Sequence, residues 1–264
     1  MSHGINAGGT VYAVKGGKTV VDGSAYSVSK GRTLVAGTGY DISFVNGIPA
    51  GDLAVGTSIY ANVDGVKTEF IVVHQGNPST SIYDSSCDGT WVVMKHLAED
   101  SHMTWRNSGS SSISYSLSNV DKFLTNTFLP SLDENVQNAI KTVKIPYITT
   151  SGVAKGSSGL SKKVFAMSLN ELGLTSNAEE SLVAGAKLSY FRSSTLRKAT
   201  TSGGYAYGYW LRTPCSLTSS SADAIKDTGA QGNGIRTSSY YRVRPTFILD
   251  KNTIINPDDY TIIC

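Results

Sequence analysis

The chain has 264 residues, and its 23 Lys and Arg against 20 Asp and Glu leave a net charge of only +3. This length fits one large domain or one domain with an appendage, and the small, scattered charge gives no electrostatic case for binding nucleic acid or a membrane surface. The first ten residues lack a basic segment followed by an apolar one, so we expect no secretion signal, and no apolar run predicts a membrane span.

The chain opens with a repeat at a spacing of 14 residues, which places Tyr12, Tyr26 and Tyr40 at one position. Each copy alternates apolar and polar residues and is interrupted by glycine, a pattern that predicts short strands joined by tight turns. One such unit cannot bury its apolar face alone. We therefore predict a β-hairpin repeat module over residues 1–46 that anchors the chain to partners or sister chains, followed by a linker over residues 46–52.

The middle of the chain predicts an α+β domain over residues 47–250, with residues 251–264 as a C-terminal tail or edge strand. Asp64-Gly65 between two apolar runs predicts a hairpin, and "TWVVMKHL" predicts a further strand. Four serines followed three residues later by an acidic residue predict helix starts. These are Ser118 with Asp121, Ser131 with Glu134, Ser168 with Glu171, and Ser176 with Glu179.

Tyrosines and polar residues dominate the last third of the chain. Tyr205, Tyr207 and Tyr209 alternate, so an extended strand would place them on one face, either packed in a sheet or exposed as a binding surface. Residues 215–241 predict a polar loop or weak edge strands, either solvated or in contact with a partner. The predicted ligand contacts are Tyr205, Tyr207, Ser219, Ser220, Asp223, Lys226, Gln231, Asn233, Arg236 and Tyr240.

The sequence offers little sign of catalysis. The four histidines and three cysteines show no metal-ligand spacing, and no nucleophile elbow or phosphate-binding loop is complete. We therefore expect no metal, no cofactor and no enzymatic activity. Reduced cysteines are the simpler expectation, although a Cys87–Cys215 disulfide stays open. Arg212 and Arg244 lie in apolar strands and predict structural roles with buried carboxylate or carbonyl partners.

Two late sequence boxes carry a family resemblance. "YWLRTP" and, some 30 residues later, "RVRPTFIL" resemble an uncharacterised domain family that is common in phage and gut-bacterial genomes, and "VFAMSLNELG", "GAKLSYF" and "VDKFLTNTFLPSL" follow the same order. The resemblance covers about residues 50–250. Its structural motif residues are Tyr209, Trp210, Leu211, Arg212, Pro214, Arg244 and Pro245.

The resemblance implies a C-type-lectin-like layout, shared with formylglycine-generating enzymes and retroelement-diversified receptor-binding proteins. Only Cys215 stands where the formylglycine enzymes use two cysteines, so the expected mechanism is adhesion. We expect a phage virion protein of tail-fibre, receptor-binding or head-fibre type, made in the host cytoplasm and homo-oligomeric, with a trimer favoured. Its partners would be other virion proteins and a host cell-surface glycan or protein. A purely structural decoration protein and a bacterial surface adhesin are the alternatives.

The N-terminal repeat generates the first test. Residues 1–46 in isolation are expected to be unfolded or to associate, because a two-stranded unit is marginally stable in water. Circular dichroism and analytical sedimentation measure this directly. A folded, monomeric 1–46 peptide would contradict the prediction.

Overall fold

The computed structural model describes residues 2–7, 10–15, 18–21, 24–27, 30–35, 38–43, 47–106, 114–149, 151–175, 183–215 and 221–263. The chain divides into two compact units, Met1–Gly47 and Ile48–Cys264. Among the described residues there are more strands than helices, and more residues lie in strands than in helices. None of the helices in the described ranges is long and apolar enough to cross a membrane.

The first unit consists of three β-hairpins, each a separate two-stranded antiparallel sheet. Tyr12, Tyr26 and Tyr40 occupy the third position of the second strand in each hairpin, opposite Ile5, Thr19 and Thr33. The 14-residue repeat is thus a repeat of hairpins. The strands are β1 (Ser2–Ala7), β2 (Thr10–Lys15), β3 (Lys18–Val21), β4 (Ser24–Ser27), β5 (Lys30–Val35) and β6 (Thr38–Ser43).

In the residues that the structure describes, the second unit contains short strands and four short α-helices. The strands are β7 (Ile48–Pro49), β8 (Ser58–Val63), β9 (Val66–Gln75), β10 (Thr90–Met94), β11 (Met103–Thr104), β12 (Val143–Ile145), β13 (Tyr147–Thr149), β14 (Gly152–Ala154), β15 (Leu160–Lys162), β16 (Val164–Phe165), β17 (Tyr209–Pro214), β18 (Ser221–Ile225), β19 (Gln231–Arg236), β20 (Tyr240–Tyr241), β21 (Thr246–Leu249) and β22 (Ile254–Ile255). The helices are α1 (Asn119–Phe123), α2 (Leu129–Ser131), α3 (Glu134–Ala139) and α4 (Ser194–Arg197).

A five-stranded antiparallel sheet in the order β16-β21-β10-β9-β8 forms the centre of this unit. Every residue of β10 is buried, as expected for an apolar strand with neighbours on both sides. The predicted hairpin is confirmed, because Asp64 and Gly65 both have positive φ values, 50° and 75°, and connect β8 to β9. Positive φ at both central residues is the geometry of the two-residue turn that matches strand twist.

The predicted helices are partly confirmed. The Ser118 hydroxyl accepts a hydrogen bond from the Asp121 amide at 3.0 Å and begins α1, which continues through a π-helical segment, Leu124–Phe128, into α2. The predicted start at Ser131 is wrong, because α3 begins after Asp133. The Ser168 amide donates to the Glu171 carboxylate and the Glu171 amide donates to the Ser168 hydroxyl, as in a capping box, but only a 3-10 turn, Asn170–Leu172, follows. Ser176 and Glu179 lie outside the described residues.

Residues 48–52 are part of the second unit rather than of the predicted linker. β7 pairs with β22, so that Ile48 stands opposite Ile255, and Ala50 is fully buried in a 3-10 turn. The C-terminal residues also belong to this unit, because Ile262 is buried and its amide bonds to the Tyr60 carbonyl at 3.0 Å. Of the two predicted possibilities for residues 251–264, the edge strand is therefore the one adopted by Ile254 and Ile255.

A second sheet, in the order β17-β18-β19, occupies much of the polar region predicted as loop or weak strands. Tyr205, Tyr207 and Tyr209 do not share one strand face, which corrects that prediction. β17 begins only at Tyr209, whose side chain is 1% exposed, whereas Tyr205 and Tyr207 precede the strand and are 71% and 43% exposed. The physical reason is that Ala206, which lies between the two exposed tyrosines, pairs with Thr200 in an isolated bridge, whereas the pairing of β17 with β18 starts only at Tyr209.

An ion pair without solvent exposure links the second sheet to the rest of the unit. Arg212 of β17 donates to both carboxylate oxygens of Glu171, and both side chains are 0% exposed. Its remaining N–H groups bond to the carbonyls of Pro146, Ala166 and Ala184, and Glu171 also accepts from the Tyr83 hydroxyl at 2.8 Å. Arg212 therefore has the buried carboxylate partner that its predicted structural role requires. Arg244 likewise donates from Nε to the Met94 carbonyl at 2.9 Å.

Replacing Glu171 with Gln tests this network. The substitution keeps the shape but leaves the Arg212 guanidinium buried without its counter-charge, so the free energy of unfolding is expected to fall by about 3–5 kcal/mol. Urea unfolding followed by circular dichroism measures the change. The matched control is Lys251→Gln, which removes an exposed pair with Asp88 and is expected to cost no more than about 1 kcal/mol. Equal losses in the two variants would contradict the prediction.

Candidate functional site

The late part of the second unit carries a groove of about 470 Å³. Three of its nine lining residues are tyrosines and a further four are ionisable, so we name it the tyrosine groove. Its lining residues are His102, Ala206, Tyr207, Gly208, Lys226, Asp227, Tyr240, Tyr241 and Arg242. A groove of this volume lies within the range of about 300–1,000 Å³ that is usual for small-ligand sites.

Strand pairing brings the groove together from distant parts of the chain. β11 pairs with β20, placing Met103 opposite Tyr241 and Thr104 opposite Tyr240. The Trp210 indole donates to the Met103 carbonyl at 2.9 Å, and its ring packs on Tyr241 with centroids 4.8 Å apart. Because the Trp210 side chain is completely buried, this contact fixes β20 against the start of β17.

Gly208 allows the floor of the groove to form. A Cβ atom at this position would overlap the Tyr241 ring and crowd the Ile225 carbonyl, so only glycine lets that ring lie against the backbone. The Gly208 carbonyl accepts from the Arg242 amide at 3.0 Å, and the Arg242 carbonyl accepts from the Trp210 amide at 2.9 Å. The backbone on both sides of the groove is therefore tied together by hydrogen bonds.

The Arg242 side chain forms one wall. Its guanidinium lies over the Tyr207 ring, 5.0 Å from the centroid, and Nη1 donates to the carbonyls of Ala98 and Glu99. The Glu99 carboxylate is 3.8 Å away. The Nε–H of Arg242 is buried and has no hydrogen-bond partner among the described residues. An arginine held in this way presents a fixed positive charge beside an aromatic face.

The aromatic side chains at the mouth are exposed and pre-arranged. Tyr207 is 43% and Tyr240 63% exposed, and the Tyr240 ring contacts His102 with centroids 5.4 Å apart. Lys226 and Asp227 lie on the turn between β18 and β19, where the Gly229 amide bonds to the Lys226 carbonyl at 2.9 Å. The groove therefore combines flat apolar faces with one acidic and three basic or potentially basic side chains.

The structure brings only some of the predicted contact residues together. Tyr207, Lys226 and Tyr240 line the groove, whereas Tyr205, Gln231, Asn233 and Arg236 do not. Tyr205 is exposed nearby on the chain, and the Gln231 side chain is occupied with Asn233 and the Thr175 carbonyl. Ser219 and Ser220 lie outside the described residues.

The prediction of Asp223 as a surface contact is wrong, because its side chain is 0% exposed. It lies on β18 and points inward, where Oδ1 accepts a weak hydrogen bond from the Cys215 thiol at 3.6 Å and Oδ2 has no partner among the described residues. Burial raises the pKa of Asp223 to about 6, and the Cys215 thiol and the Gly234 backbone offset only part of this rise.

Two of the cysteines, Cys87 and Cys215, lie in the described residues. Cys87 and Cys215 are both free, so the open alternative of a disulfide between them is not the arrangement in this structure. The buried Cys87 thiol donates to the Lys144 carbonyl at 3.3 Å, and burial raises its pKa to about 12, which makes it a poor nucleophile. Within the described ranges, no three His, Cys, Asp or Glu side chains are grouped in a way that could hold a metal ion.

Comparison with known families shows where the chain belongs. Residues 88–251, more than half of the chain, match the family described as "Domain of unknown function (DUF6273)". The chain belongs to the DUF6273 family. No curated protein and no solved structure matches significantly. All the residues that line the tyrosine groove, from His102 to Arg242, lie inside the DUF6273 segment, whereas the paired strands β8 and β9 precede it.

Sequence reasoning missed several groove residues of this DUF6273 domain. His102, Asp227, Tyr241 and Arg242 were not predicted as contacts. The pair Tyr240-Tyr241 was a visible local signal, since one of two adjacent strand residues faces each side. His102 gave no such signal, because it reaches the groove only through the pairing of β11 with the much later β20.

The buried Asp223 predicts an unusual pH dependence. Its pKa is about 6 in the folded state and about 4 when unfolded, so between these values the folded state holds the extra proton. Its contribution to stability is therefore full below about pH 4 and is lost as the pH rises to 6. The free energy of unfolding of Asp223→Asn, relative to that of the wild type, is expected to rise by about 1–3 kcal/mol between pH 4 and pH 7.5. Urea unfolding of both proteins at the two pH values measures this.

Because the other carboxylates titrate in both proteins, their effects cancel in the difference between variant and wild type. A difference that is the same at pH 4 and pH 7.5 would contradict the raised pKa of Asp223.

Proposed function

We propose that this chain is a bacteriophage virion protein that adheres to host cells, and that the tyrosine groove binds a cell-surface glycan. The observation that carries the proposal is the grouping of the exposed Tyr207 and Tyr240 with Lys226 and Arg242 around one groove. Tyrosine offers a large contact area at low cost in conformational entropy. The flanking charged groups supply the hydrogen bonds that sugar hydroxyls need.

The size of the groove favours a glycan over a protein as the bound partner. A stable protein interface buries about 800 Å² on each side and is usually broad. The tyrosine groove is a concave site of about 470 Å³, which suits one or two sugar rings stacked on Tyr207 and Tyr240. Binding by such a small site is weak, so copies on one particle would gain strength through avidity.

The C-type-lectin-like layout belongs to the same proposal. It is supported by the order of elements, in which α1, α2 and α3 precede the sheet formed by β17, β18 and β19. The groove adjoins the turn between β18 and β19 and the start of β17, at the late sheet where such a layout presents its binding loops.

The N-terminal unit would attach the adhesin to the particle. Within the described part of this unit each hairpin is a two-stranded sheet with no further strand beside it. Such a sheet is marginally stable in water, so pairing with sister chains or with other virion proteins would complete it. A homotrimer is the favoured assembly, in a tail-fibre, receptor-binding or head-fibre position. The contact would be adhesive rather than catalytic.

A glycan array tests the proposed contact surface. The purified full-length chain, fluorescently labelled, is applied to an array of bacterial capsular and cell-wall polysaccharides. The wild type is expected to bind a subset, and the double variant Tyr207→Ala, Tyr240→Ala to bind at least tenfold more weakly, since each aromatic anchor contributes about 1–2 kcal/mol. Both side chains are exposed, so folding should persist, which circular dichroism checks.

Tyr205→Ala is the matched control, because Tyr205 is more exposed than either tyrosine but does not line the groove. Its binding is expected to stay within twofold of the wild type. Equal losses in the control and the double variant, or no glycan binding at all, would overturn the proposal in favour of a purely structural decoration protein. Mass spectrometry of purified phage particles separates a virion protein from a bacterial surface adhesin.

A further inference from the structure

A second groove, of about 580 Å³, has a separate set of lining residues. It runs between the first residues of β9, Val66–Glu69, and the segment that follows β10, and we name it the edge groove. Buried or half-buried apolar side chains form its floor, among them Leu97, Phe123 and Phe128. The exposed Val66, 66% accessible, stands at its mouth.

One side of this groove is an open strand edge. In β8 the Tyr60 backbone bonds outward, to Tyr260 and Ile262, so the opposed pair Tyr60 and Glu69 is not hydrogen-bonded across the hairpin. Hydrogen-bonded and non-hydrogen-bonded pairs alternate along antiparallel strands, so Lys67, two residues before Glu69, is also in a non-hydrogen-bonded pair. Its N–H and C=O therefore face away from β8. They face the side on which β10 lies.

The strand β10 does not reach far enough to cover that edge. Its pairing with β9 ends at Met94 opposite Phe70, and one further bond joins the Lys95 amide to the Glu69 carbonyl at 2.9 Å. After that the chain turns away, with the Leu97 amide bonded to the Thr200 carbonyl at 2.8 Å. No described strand lies beside Lys67 on this side, and the edge groove occupies the gap. Open edges are ready templates for a further strand.

The charge around the groove is mainly negative. Among the described lining residues four carry carboxylates, Asp64, Glu69, Glu99 and Asp100, against the Lys67 ammonium and the His96 imidazole. Glu69 is paired with Lys95 at 2.7 Å and Glu99 with Arg242 at 3.8 Å, whereas Asp64 and Asp100 have no ion-pair partner among the described residues. Lys67 is already paired with Asp259 at 3.2 Å and lies over the Tyr60 ring. Hydrogen bonds from Ser202 hold the pKa of Glu99 below its usual value, which keeps that carboxylate ionised.

We infer that the edge groove binds an extended, basic peptide segment of a partner protein as an added strand on β9. The Lys67 backbone would supply the main-chain hydrogen bonds, and the apolar floor would take alternate apolar side chains. The Asp64 and Asp100 carboxylates, which have no ion-pair partner among the described residues, would pair with lysine or arginine at the intervening positions. The inference does not rest on the glycan-binding function proposed above, because no described residue lines both grooves.

A labelled peptide tests the inference. The probe is a fluorescein-labelled heptapeptide that alternates valine with lysine, titrated against the full-length chain by fluorescence anisotropy. We expect saturable binding, and at least tenfold weaker binding of the same peptide with glutamate in place of lysine. Lys67→Pro removes the outward N–H without touching a bond to β8 and is expected to weaken binding at least tenfold. Lys67→Ala, which keeps the N–H, should change it less than threefold.

A second pair of variants tests the inference even if the proline variant misfolds. Val66 is exposed, so Val66→Lys and Val66→Glu lose the same apolar contact but place opposite charges at the mouth of the groove. The lysine variant is expected to bind the lysine peptide at least fivefold more weakly than the glutamate variant. Equal binding by the Val66 pair, equal effects of the two Lys67 variants, or no binding of the lysine peptide would overturn the inference. The Tyr207, Tyr240 double variant should bind this peptide as the wild type does.

Discussion

The buried pair of Arg212 and Glu171 is the interaction on which the second unit is arranged. Removing two charges from water costs several kcal/mol per ion, and this cost is offset only when geometry and additional hydrogen bonds are nearly complete. Here the Arg212 guanidinium meets both carboxylate oxygens and three backbone carbonyls, and Glu171 also caps its own turn through the Ser168 amide. Because one-residue slippage of β17 would break all of these bonds together, the pair specifies the register of that strand.

The register of β17 decides where the tyrosine groove forms. Trp210 and Leu211 directly precede Arg212, and they exchange hydrogen bonds with the segment at β11. The Trp210 indole donates to Met103, and the Trp105 indole donates to the Leu211 carbonyl at 2.8 Å. These two buried indoles fix β11, and β11 in turn pairs with β20 and positions Tyr240. The exposed aromatic side chains of the groove are therefore attached to a rigid frame, which lowers the entropy that binding must overcome.

Local signals in the sequence predicted local structure well and distant pairing poorly. Asp64-Gly65 requires only its own backbone, and the Ser118 cap needs only the next three residues, so both could be predicted. Ile48 appeared to lie in a linker, because its partner Ile255 is near the other end of the chain. Asp223 is predicted as a surface contact, because nothing in "SADAI" reveals that β18 is the middle strand of its sheet and is mostly buried. The resemblance to an uncharacterised domain family rests on the order of sequence boxes, which carries no information on side-chain exposure.

The tyrosine groove and the edge groove share one ion pair. Arg242 lines the first groove and Glu99 the second, with 3.8 Å between their charged groups. A ligand cation in the edge groove that attracts the Glu99 carboxylate would weaken the ion pair between Glu99 and Arg242. Arg242 lies over the Tyr207 ring, so the effect would reach the tyrosine groove. Any such coupling is reciprocal, so a ligand in the tyrosine groove would change the affinity of the edge groove by the same factor. Because Glu99 is half exposed, the pair contributes at most about 1 kcal/mol, which limits the coupling to about fivefold.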